Sequence, residues 1–321
     1  MGKFRLVAPS TKAFIREARK SKNYSLFNFI HGYVYGRWTY FYIAMGTGSH
    51  PLAKRLAPLI QWIGGLLVSN APTQKSAPAI KFEDTYHAKV VPLAAAKQLV
   101  SIKQSIALGD LEHIIPYALA RDIILQDPDH LAVVDCPCRA ARPHPCLPLD
   151  VCLVVGEPFV SFFVEHQPKR SRRITSDEAQ AILKAEDERG HVHHAFFKDA
   201  MLGRFYAICN CCSCCCGAMQ AQRSGAPMLS SSGYVAQINP ELCTACRKCE
   251  KTCQFKAITT NGKAVVNTAL CMGCGVCVGQ CKKSAVQLVR MESKGEPLEI
   301  DRLIANFMAP GLPLPQTQPP E

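Results

Sequence analysis

The sequence predicts an α+β protein built from three successive parts and a tail. Three observations lead to this prediction: basic and aromatic residues crowd the N-terminal end, ten cysteines and several helix signals occupy the middle, and eight more cysteines form a regular pattern near the C-terminal end. We expect a basic, aromatic docking arm with its linker over residues 1–78, a mainly helical, cysteine-rich domain over 79–232, a small second cysteine-rich domain over 233–295, and a proline-rich tail over 296–321.

The N-terminal arm holds most of the net positive charge. Residues 1–55 contain ten Lys and Arg against a single acidic residue, a local charge of +9 within a total of +12. Residues 26–45 then read LFNFIHGYVYGRWTYFYIAM, and a second apolar stretch, residues 56–68, contains Trp62. Residues 69–78 are rich in Pro, Ser and Ala and are typical of a linker. No recognised nucleic-acid-binding module accompanies the arm, so we expect no nucleic-acid partner.

Three interpretations of residues 1–68 stay open. A transmembrane helix needs about twenty apolar residues without a central charge, which Arg37 and His31 oppose. An element lying on the membrane surface suits the composition, because Tyr and Trp favour the lipid headgroup level and basic residues attract anionic lipid. The third interpretation is an aromatic arm packed against the chain's own core or against a partner subunit.

The middle domain carries most of the helix signals. Pro92 suits the first turn of a helix that continues to about residue 107, and Asp110 caps a second helix that continues to about residue 126. Further helices are predicted over residues 150–165 and 176–189. One short strand is predicted from Leu131 to Val134, and it leads into Asp135-Cys136-Pro137-Cys138-Arg139.

Ten cysteines of the middle domain form a candidate pool of metal ligands. Six of them lie within eight residues, and adjacent cysteines seldom satisfy disulfide geometry. Free thiols at this density would also be readily oxidised. A metal centre explains the density; one or two [4Fe-4S] clusters are favoured, with zinc or unligated redox-active thiols as alternatives. The pool consists of Cys136, Cys138, Cys146, Cys152, Cys209, Cys211, Cys212, Cys214, Cys215 and Cys216.

Polar residues flank this pool. Arg139 follows Cys138 directly, and it either contacts a cluster or an anionic substrate or pairs with Asp135. His191, His193 and His194 follow Gly190, and they are either solvated turn residues or ligands and proton carriers.

The eight C-terminal cysteines form two copies of one pattern. CxxCxxCxxxC first occurs at residues 243–253 and again 28 residues later, at 271–281. Three cysteines at this spacing reach three irons of one [4Fe-4S] cluster, and the fourth reaches the neighbouring cluster. The pattern therefore predicts one cluster held by Cys243, Cys246, Cys249 and Cys281 and a second held by Cys271, Cys274, Cys277 and Cys253.

On these residues the C-terminal part resembles the bacterial-type dicluster ferredoxins, over roughly 55 of the 321 residues. The resemblance implies a ferredoxin-like fold of two short hairpins and two short helices around the clusters. Asn261-Gly262 lies between two strand-like runs and predicts one hairpin with a two-residue type I′ turn. The ferredoxins usually place proline after each fourth cysteine, where this chain has Gln254 and Lys282. We expect the ligands to persist and the loops to be reshaped.

Residues 80–290 are similar to a family of larger multi-cluster 4Fe-4S proteins of anaerobic bacteria and archaea. The motifs that carry this resemblance are Cys136-Pro137-Cys138-Arg139 and the run from Ile208 to Gly217. Cys215-Cys216-Gly217 is also similar to the CCG motif of heterodisulfide-reductase-type sites. These resemblances imply further clusters and an anaerobic setting.

The sequence favours an electron-transfer component over a stand-alone enzyme, because no nucleotide or flavin motif accompanies the cysteines. We expect electrons to be relayed between redox partner proteins within an anaerobic complex. The alternative is a redox enzyme subunit whose substrate binds a cluster built by Cys209–Cys216, and a third hypothesis is metal storage or a zinc scaffold. Reduced thiols and the lack of a secretion motif predict a cytoplasmic protein, which residues 1–68 could hold at the inner face of the membrane.

Overall fold

The computed structural model describes most of the chain, with gaps. The second apolar stretch with Trp62, the linker and most of the predicted helix 110–126 lie outside the described residues, as does the tail beyond residue 299. The described residues are 7–21, 24–53, 55, 86–103, 106–107, 123–125, 127 and 129–299.

Seven strands of the middle domain form one large sheet, in the order β6-β4-β5-β8-β7-β1-β9, and β2 and β3 form a separate pair. Neighbours in the large sheet are antiparallel except β1 and β9, which are parallel. The strands are, in chain order, β1 (Tyr86–Val91), β2 (Ile106–Ala107), β3 (Ile123–Leu125), β4 (Leu131–Asp135), β5 (Asp150–Val155), β6 (Ser171–Ile174), β7 (Val192–Lys198), β8 (Arg204–Cys211), β9 (Leu229–Ser230), β10 (Tyr234–Ile238), β11 (Ile258–Asn261), β12 (Lys263–Val266) and β13 (Val286–Arg290).

Helices cover both faces of this sheet. The helices with described bounds are α1 (Pro9–Lys20), α2 (Leu26–Arg37), α3 (Thr39–Gly46), α4 (Leu93–Ser101), α5 (Pro137–Ala140), α6 (Phe159–His166), α7 (Ser176–Glu188), α8 (Gly217–Arg223), α9 (Lys248–Thr252) and α10 (Val276–Gly279). Leu131 and Val133 of β4 share one core with α4 and α7. Ala132 and Val134, the alternate residues, share the other core with α1, α2 and α6. The middle domain is therefore a layered arrangement of helix, sheet and helix.

The prediction of a mainly helical middle domain is wrong for the described residues. Residues 150–165, predicted as one helix, form β5 and α6, with Gly156 at φ 76° between them. The helix after Pro92 ends at Ser101, and β2 pairs with β3, so the predicted second helix does not extend over residues 123–125. A strand covered on both faces is apolar throughout and lacks the alternation that identifies a strand in sequence.

Two other predictions in this domain are confirmed. The strand predicted from residue 131 is β4, and the helix predicted from residue 176 is α7. The hydroxyl of Thr175 accepts a hydrogen bond from the backbone N–H of Glu178 at 3.2 Å, which is an N-cap of the kind expected.

The described part of the N-terminal arm packs against the chain's own core. Phe14 is 1% exposed, and its ring lies 5.6 Å from that of Phe162. A Cβ atom added to Gly32 would lie 2.0 Å from the carbonyl oxygen of Ala200, so only glycine permits this approach of α2. No helix among the described residues is both long and apolar enough to cross a membrane. This packing agrees with the third interpretation of the arm, and contact with lipid stays a prediction.

The C-terminal domain consists of two small sheets and two short helices. β10 pairs with β13, the two ends of the domain, and β11 pairs with β12 as the predicted hairpin. The predicted two-residue type I′ turn is wrong, because Asn261 pairs with Lys263 across Gly262, which alone has a positive φ of 72°. Valine and alanine side chains of both sheets share a core with the cysteines. The hairpin loop therefore contains one residue, Gly262, where two were predicted.

Candidate metal centres

The first C-terminal site is a hollow of about 200 Å³ in the surface of the small domain. It lies between the loop before α9 and the chain after α10, and Cys246 at its edge is exposed. Its wall contains three cysteines of the first motif and the fourth cysteine of the second. They are Cys243, Cys246, Cys249 and Cys281. The hollow thus gathers the four thiols that the spacing assigns to one cluster.

The second C-terminal site lies deeper, where the second motif meets the end of α9. Burial, together with the charges of Cys271 and Cys253, raises the pKa of the Cys277 thiol to about 12. Burial raises the pKa of Cys274 as well, again with contributions from Cys277, Cys253 and Cys271. These mutual effects place Cys253 with the three cysteines of the second motif. Such thiols ionise when a bound cation offsets the cost of burying their charge.

A glycine fixes the loop of the second site. Gly273 has φ 65°, and a Cβ atom added to it would lie 2.2 Å from the carbonyl oxygen of Tyr234. The hydroxyl of Ser232 donates a 2.7 Å hydrogen bond to the carbonyl oxygen of Gly273. The cysteine loop therefore lies directly against β10, in a conformation that favours glycine.

Backbone N–H groups donate to several of these thiols, and the hydrogen bonds from Ala264 and Ala245 lower the pKa of Cys243. Ala257 N lies 3.2 Å from the Sγ atom of Cys253, and Ala285 N lies 3.3 Å from that of Cys281. These two alanines occupy equivalent positions, four residues after the last cysteine of each motif. Ala236 N lies 3.4 Å from the Sγ atom of Cys271. Donors of this kind stabilise thiolates and tune iron–sulfur potentials, so the donor set fits a [4Fe-4S] cluster in each site.

The ten-cysteine pool of the middle domain divides into two sets. The first, called the outer set here, has four Sγ atoms that all lie within 4.8 Å of one another. The Sγ atom of Cys214 lies 3.2 Å from that of Cys146 and 3.8 Å from that of Cys215. The outer set consists of Cys146, Cys212, Cys214 and Cys215. Four converging thiols of mixed exposure could hold one metal ion or one cluster.

The remaining six cysteines, called the inner set, meet at one end of three neighbouring strands. β5 and β8 contain three of them, a fourth directly follows β4, and α5 and the residue before α8 supply the other two. Thiol contacts join Cys136 to Cys138 and Cys152, and Cys216 to Cys138 and Cys211. The inner set consists of Cys136, Cys138, Cys152, Cys209, Cys211 and Cys216. A cavity of about 40 Å³ lies between them, and Cys212 and Cys215 of the outer set also line it.

Hydrogen bonds with Cys138 and Cys152 lower the pKa of Cys136, but ionising further thiols of the inner set requires a cation. Hydrogen bonds with Cys136 and Cys216, together with burial, raise the pKa of Cys138. Hydrogen bonds with Cys136 and Cys209, together with burial, raise the pKa of Cys152. Several thiolates cannot share so small a buried space without positive charge, and metal binding supplies it as the thiols lose protons. Six sulfur donors, four of them buried and two, Cys138 and Cys209, half-buried, thus fit an iron–sulfur centre.

A buried polar network supports the inner set. Arg139 is 1% exposed, and its Nη2 atom donates to Glu186 Oε2 at 2.6 Å and to the carbonyl oxygen of Asn210 at 3.0 Å. Burial lowers the pKa of Arg139, but the hydrogen bond and charge of Glu186 outweigh this effect and raise it. The sequence suggested Asp135 as the ion-pair partner of Arg139, but the structure pairs Arg139 with Glu186. Glu186 lies among the buried, mainly apolar residues of α7, and a charge at such a position could have indicated a buried ion pair.

The histidines after Gly190 are buried, so the interpretation as solvated turn residues is wrong. His191 is 8% exposed and its Nδ1 atom lies 2.6 Å from Glu186 Oε2. His193 is 0% exposed, and its Nδ1 atom lies 2.6 Å from Asn210 Oδ1. Burial lowers the pKa of His193 to about 4. The rings of His191 and His193 belong to the polar network behind the inner set, whereas His194, also 0% exposed, has no hydrogen-bond partner at either ring nitrogen among the described residues. None of the three is in the metal-binding group of four thiols.

Comparison with known families identifies one domain. The 4Fe-4S binding domain family matches residues 236–259, a stretch that contains the whole first motif from Cys243 to Cys253. A search of curated proteins found no match to this chain. The protein therefore contains an iron–sulfur domain of ferredoxin type, and its further cysteine sites are assigned from their geometry alone.

Proposed function

We propose that the protein is an electron-transfer subunit with a [4Fe-4S] cluster in each C-terminal site and one or two more in the middle domain. Cys243, Cys246, Cys249 and Cys281 would hold the first cluster, and Cys271, Cys274, Cys277 and Cys253 the second. A bound [4Fe-4S] cluster accepts and releases one electron at a time. The chain's part is to fix the spacing, burial and hydrogen bonding of the thiolates.

The observation that supports this proposal is the graded burial of the four cysteine sites. Cys246 is exposed at the edge of the first C-terminal site, while Cys271 and Cys277 of the second are buried. In the inner set, the side chains of Cys136, Cys152, Cys211 and Cys216 are only 3–8% exposed. Several sulfur sites of different burial in one chain suit the relay of electrons between partner proteins in an anaerobic complex.

Metal content of the full chain tests the proposal. Anaerobically purified protein should hold about 12 or 16 irons, of which about eight belong to the C-terminal sites. Cys274→Ser should remove iron from the second C-terminal site, and Cys212→Ser should remove iron from the outer set. About eight irons together with bound zinc would restrict electron transfer to the C-terminal domain.

The exposed rim of the first C-terminal site suggests the kind of partner. Leu242 is 49% exposed, and Lys248, Lys282 and Lys283 line the same hollow. An exposed apolar side chain among basic ones suits an acidic redox protein, because complementary charge speeds encounter. We assign this rim as the docking surface for such a protein.

A cavity favours a second candidate function, that of a redox enzyme subunit. About 290 Å³ of space lies between α3 and α8, with Cys138 of the inner set and Lys198 on its wall. The Nζ atom of Lys198 lies 3.9 Å from the ring centre of Tyr35. A cation beside a sulfur site could hold a small anionic substrate. Cyanide added to reduced protein would change the electron paramagnetic resonance (EPR) spectrum in that case, and an unchanged spectrum would favour the relay alone.

A further inference from the structure

Gln254 forms a bridge between the C-terminal domain and the outer set. It directly follows Cys253, a proposed ligand of the second C-terminal site. Its Oε1 atom accepts a hydrogen bond from the backbone N–H of Ser213 at 2.8 Å, and its Nε2 atom donates to the carbonyl oxygen of Gly190 at 2.9 Å. Ser213 lies between Cys212 and Cys214 of the outer set. One side chain thus connects the cysteine loops of two sites.

The internal duplication supplies a direct comparison. Lys282 follows Cys281 as Gln254 follows Cys253, and both stand where the resembled ferredoxins usually have proline. Lys282 is exposed and lines the hollow of the first C-terminal site. Proline could form neither hydrogen bond of Gln254, because its ring has no polar atom. Only the second C-terminal site, therefore, has this residue turned toward the middle domain.

Other contacts also join the two domains. Val276 of α10 packs against Val90 and Val192 of the central sheet. The Nε2 atom of Gln280 donates to the carbonyl oxygen of Glu188 at 3.0 Å. A substitution at residue 254 should therefore change the placement of the cysteine loops while the two domains stay docked.

We infer that Gln254 is a positioning residue that makes the second C-terminal site the point of electron exchange with the outer set. The first C-terminal site, with its exposed Cys246, then serves the outside partner. The step is the passage of one electron, supplied by an external low-potential one-electron donor, and no bond forms or breaks. This inference rests on the proposed function, and on the outer set holding a redox-active centre.

The test compares Gln254→Ala with the matched control Lys282→Ala in the full chain. Photoreduced deazaflavin supplies single electrons, and rapid freezing followed by EPR separates the signals of the sites. We expect reduction of the outer set to slow several-fold in Gln254→Ala, because loss of both hydrogen bonds lets the two cysteine loops move apart. Lys282→Ala should match the parent protein. Amide hydrogen exchange over residues 209–216 should quicken in Gln254→Ala alone.

Each other outcome decides a different point. Equal reduction rates in both variants, with iron content unchanged, would overturn the inference. Zinc in the outer set would also overturn it, while leaving electron transfer in the C-terminal domain intact. Absence of iron from the C-terminal sites would instead contradict the proposed function. If Gln254→Ala lost iron, Gln254→Lys would carry the test, since it loses the acceptor for Ser213 and keeps a donor for Gly190. A parent-like rate in Gln254→Lys would then count against the inference.

Discussion

Arg139 and Glu186 form an ion pair at 2.6 Å with side chains only 1% and 0% exposed, directly behind the inner cysteine set. Removing one partner of a buried pair leaves the other charge without compensation, which costs about 3 kcal/mol or more of folding free energy. We expect Glu186→Gln to lower stability by this amount in denaturant unfolding under anaerobic conditions.

The control for this prediction is Glu178→Gln. Glu178 pairs with Arg172 at 2.5 Å, but the two side chains are 39% and 53% exposed. Exposed pairs contribute about 0–1 kcal/mol. An equal loss of stability in both variants would show that burial of the Arg139 pair has no special importance.

Lys198 makes stability depend on pH. Burial lowers its pKa to about 7, whereas an unfolded lysine keeps its proton up to about pH 10.4. Between these values the unfolded chain binds more protons than the folded chain, so stability rises with pH across this window. We expect the free energy of unfolding, measured in denaturant, to rise on the order of 2 kcal/mol from pH 7 to 9.5 in the parent protein but not in Lys198→Met. The control variant Lys184→Met, at an exposed lysine, should keep this rise. If the rise persisted in Lys198→Met, another group would be its cause.

Gly273 should be essential to the second C-terminal site. Gly273→Ala forces a Cβ atom against the carbonyl oxygen of Tyr234, so we expect the loss of about four irons per chain. Gly262→Ala provides the control, because Gly262 also has a positive φ but no atom within 4 Å of the added Cβ. Iron and acid-labile sulfide assays separate the two results. Full iron content in Gly273→Ala would show that the loop can move away from β10.

Charge at the first C-terminal site should govern docking. The double variant Lys282→Glu, Lys283→Glu should transfer electrons to an acidic ferredoxin about tenfold more slowly at low salt, and the difference should shrink as salt screens the charges. Lys169→Glu, at an exposed lysine of the middle domain, should have little effect. A loss of rate independent of salt would point to a disturbed cluster rather than to docking.

Exposed apolar residues of the arm allow a test of lipid contact. Leu26 and Phe27 are each 74% exposed at the start of α2, within the basic part of the chain. If the arm lies on anionic membranes, Leu26→Ser with Phe27→Ser should reduce co-sedimentation with phosphatidylglycerol vesicles. Leu147→Ser, at a residue that is 69% exposed in the middle domain, is the control. Equal binding by both variants would remove this segment from the membrane contact.

The spacing of the cysteines was enough to predict an iron–sulfur site in the C-terminal domain from the sequence. CxxCxxCxxxC ties three thiols to one short loop, so local geometry alone assigns Cys243, Cys246 and Cys249 to a common site. The helix from Ser176 and the strand from Leu131 were also predicted, because their signals are equally local. The fold of the middle domain was not predicted. Its strands are apolar on both faces, so they lack the alternation of apolar and polar residues that distinguishes a strand from a helix in sequence.

Only the tertiary structure divided the ten middle cysteines into an inner and an outer set. Cys146 and Cys214 are 68 positions apart, yet their Sγ atoms lie 3.2 Å apart. Likewise, the sequence identified Gln254 as a departure from proline, but its partners Ser213 and Gly190 lie on other elements. The spacing of residues along the chain decides which side chains meet within one loop. Contacts between strands and between domains depend instead on the order of the strands in the whole sheet, which no single segment of the sequence specifies.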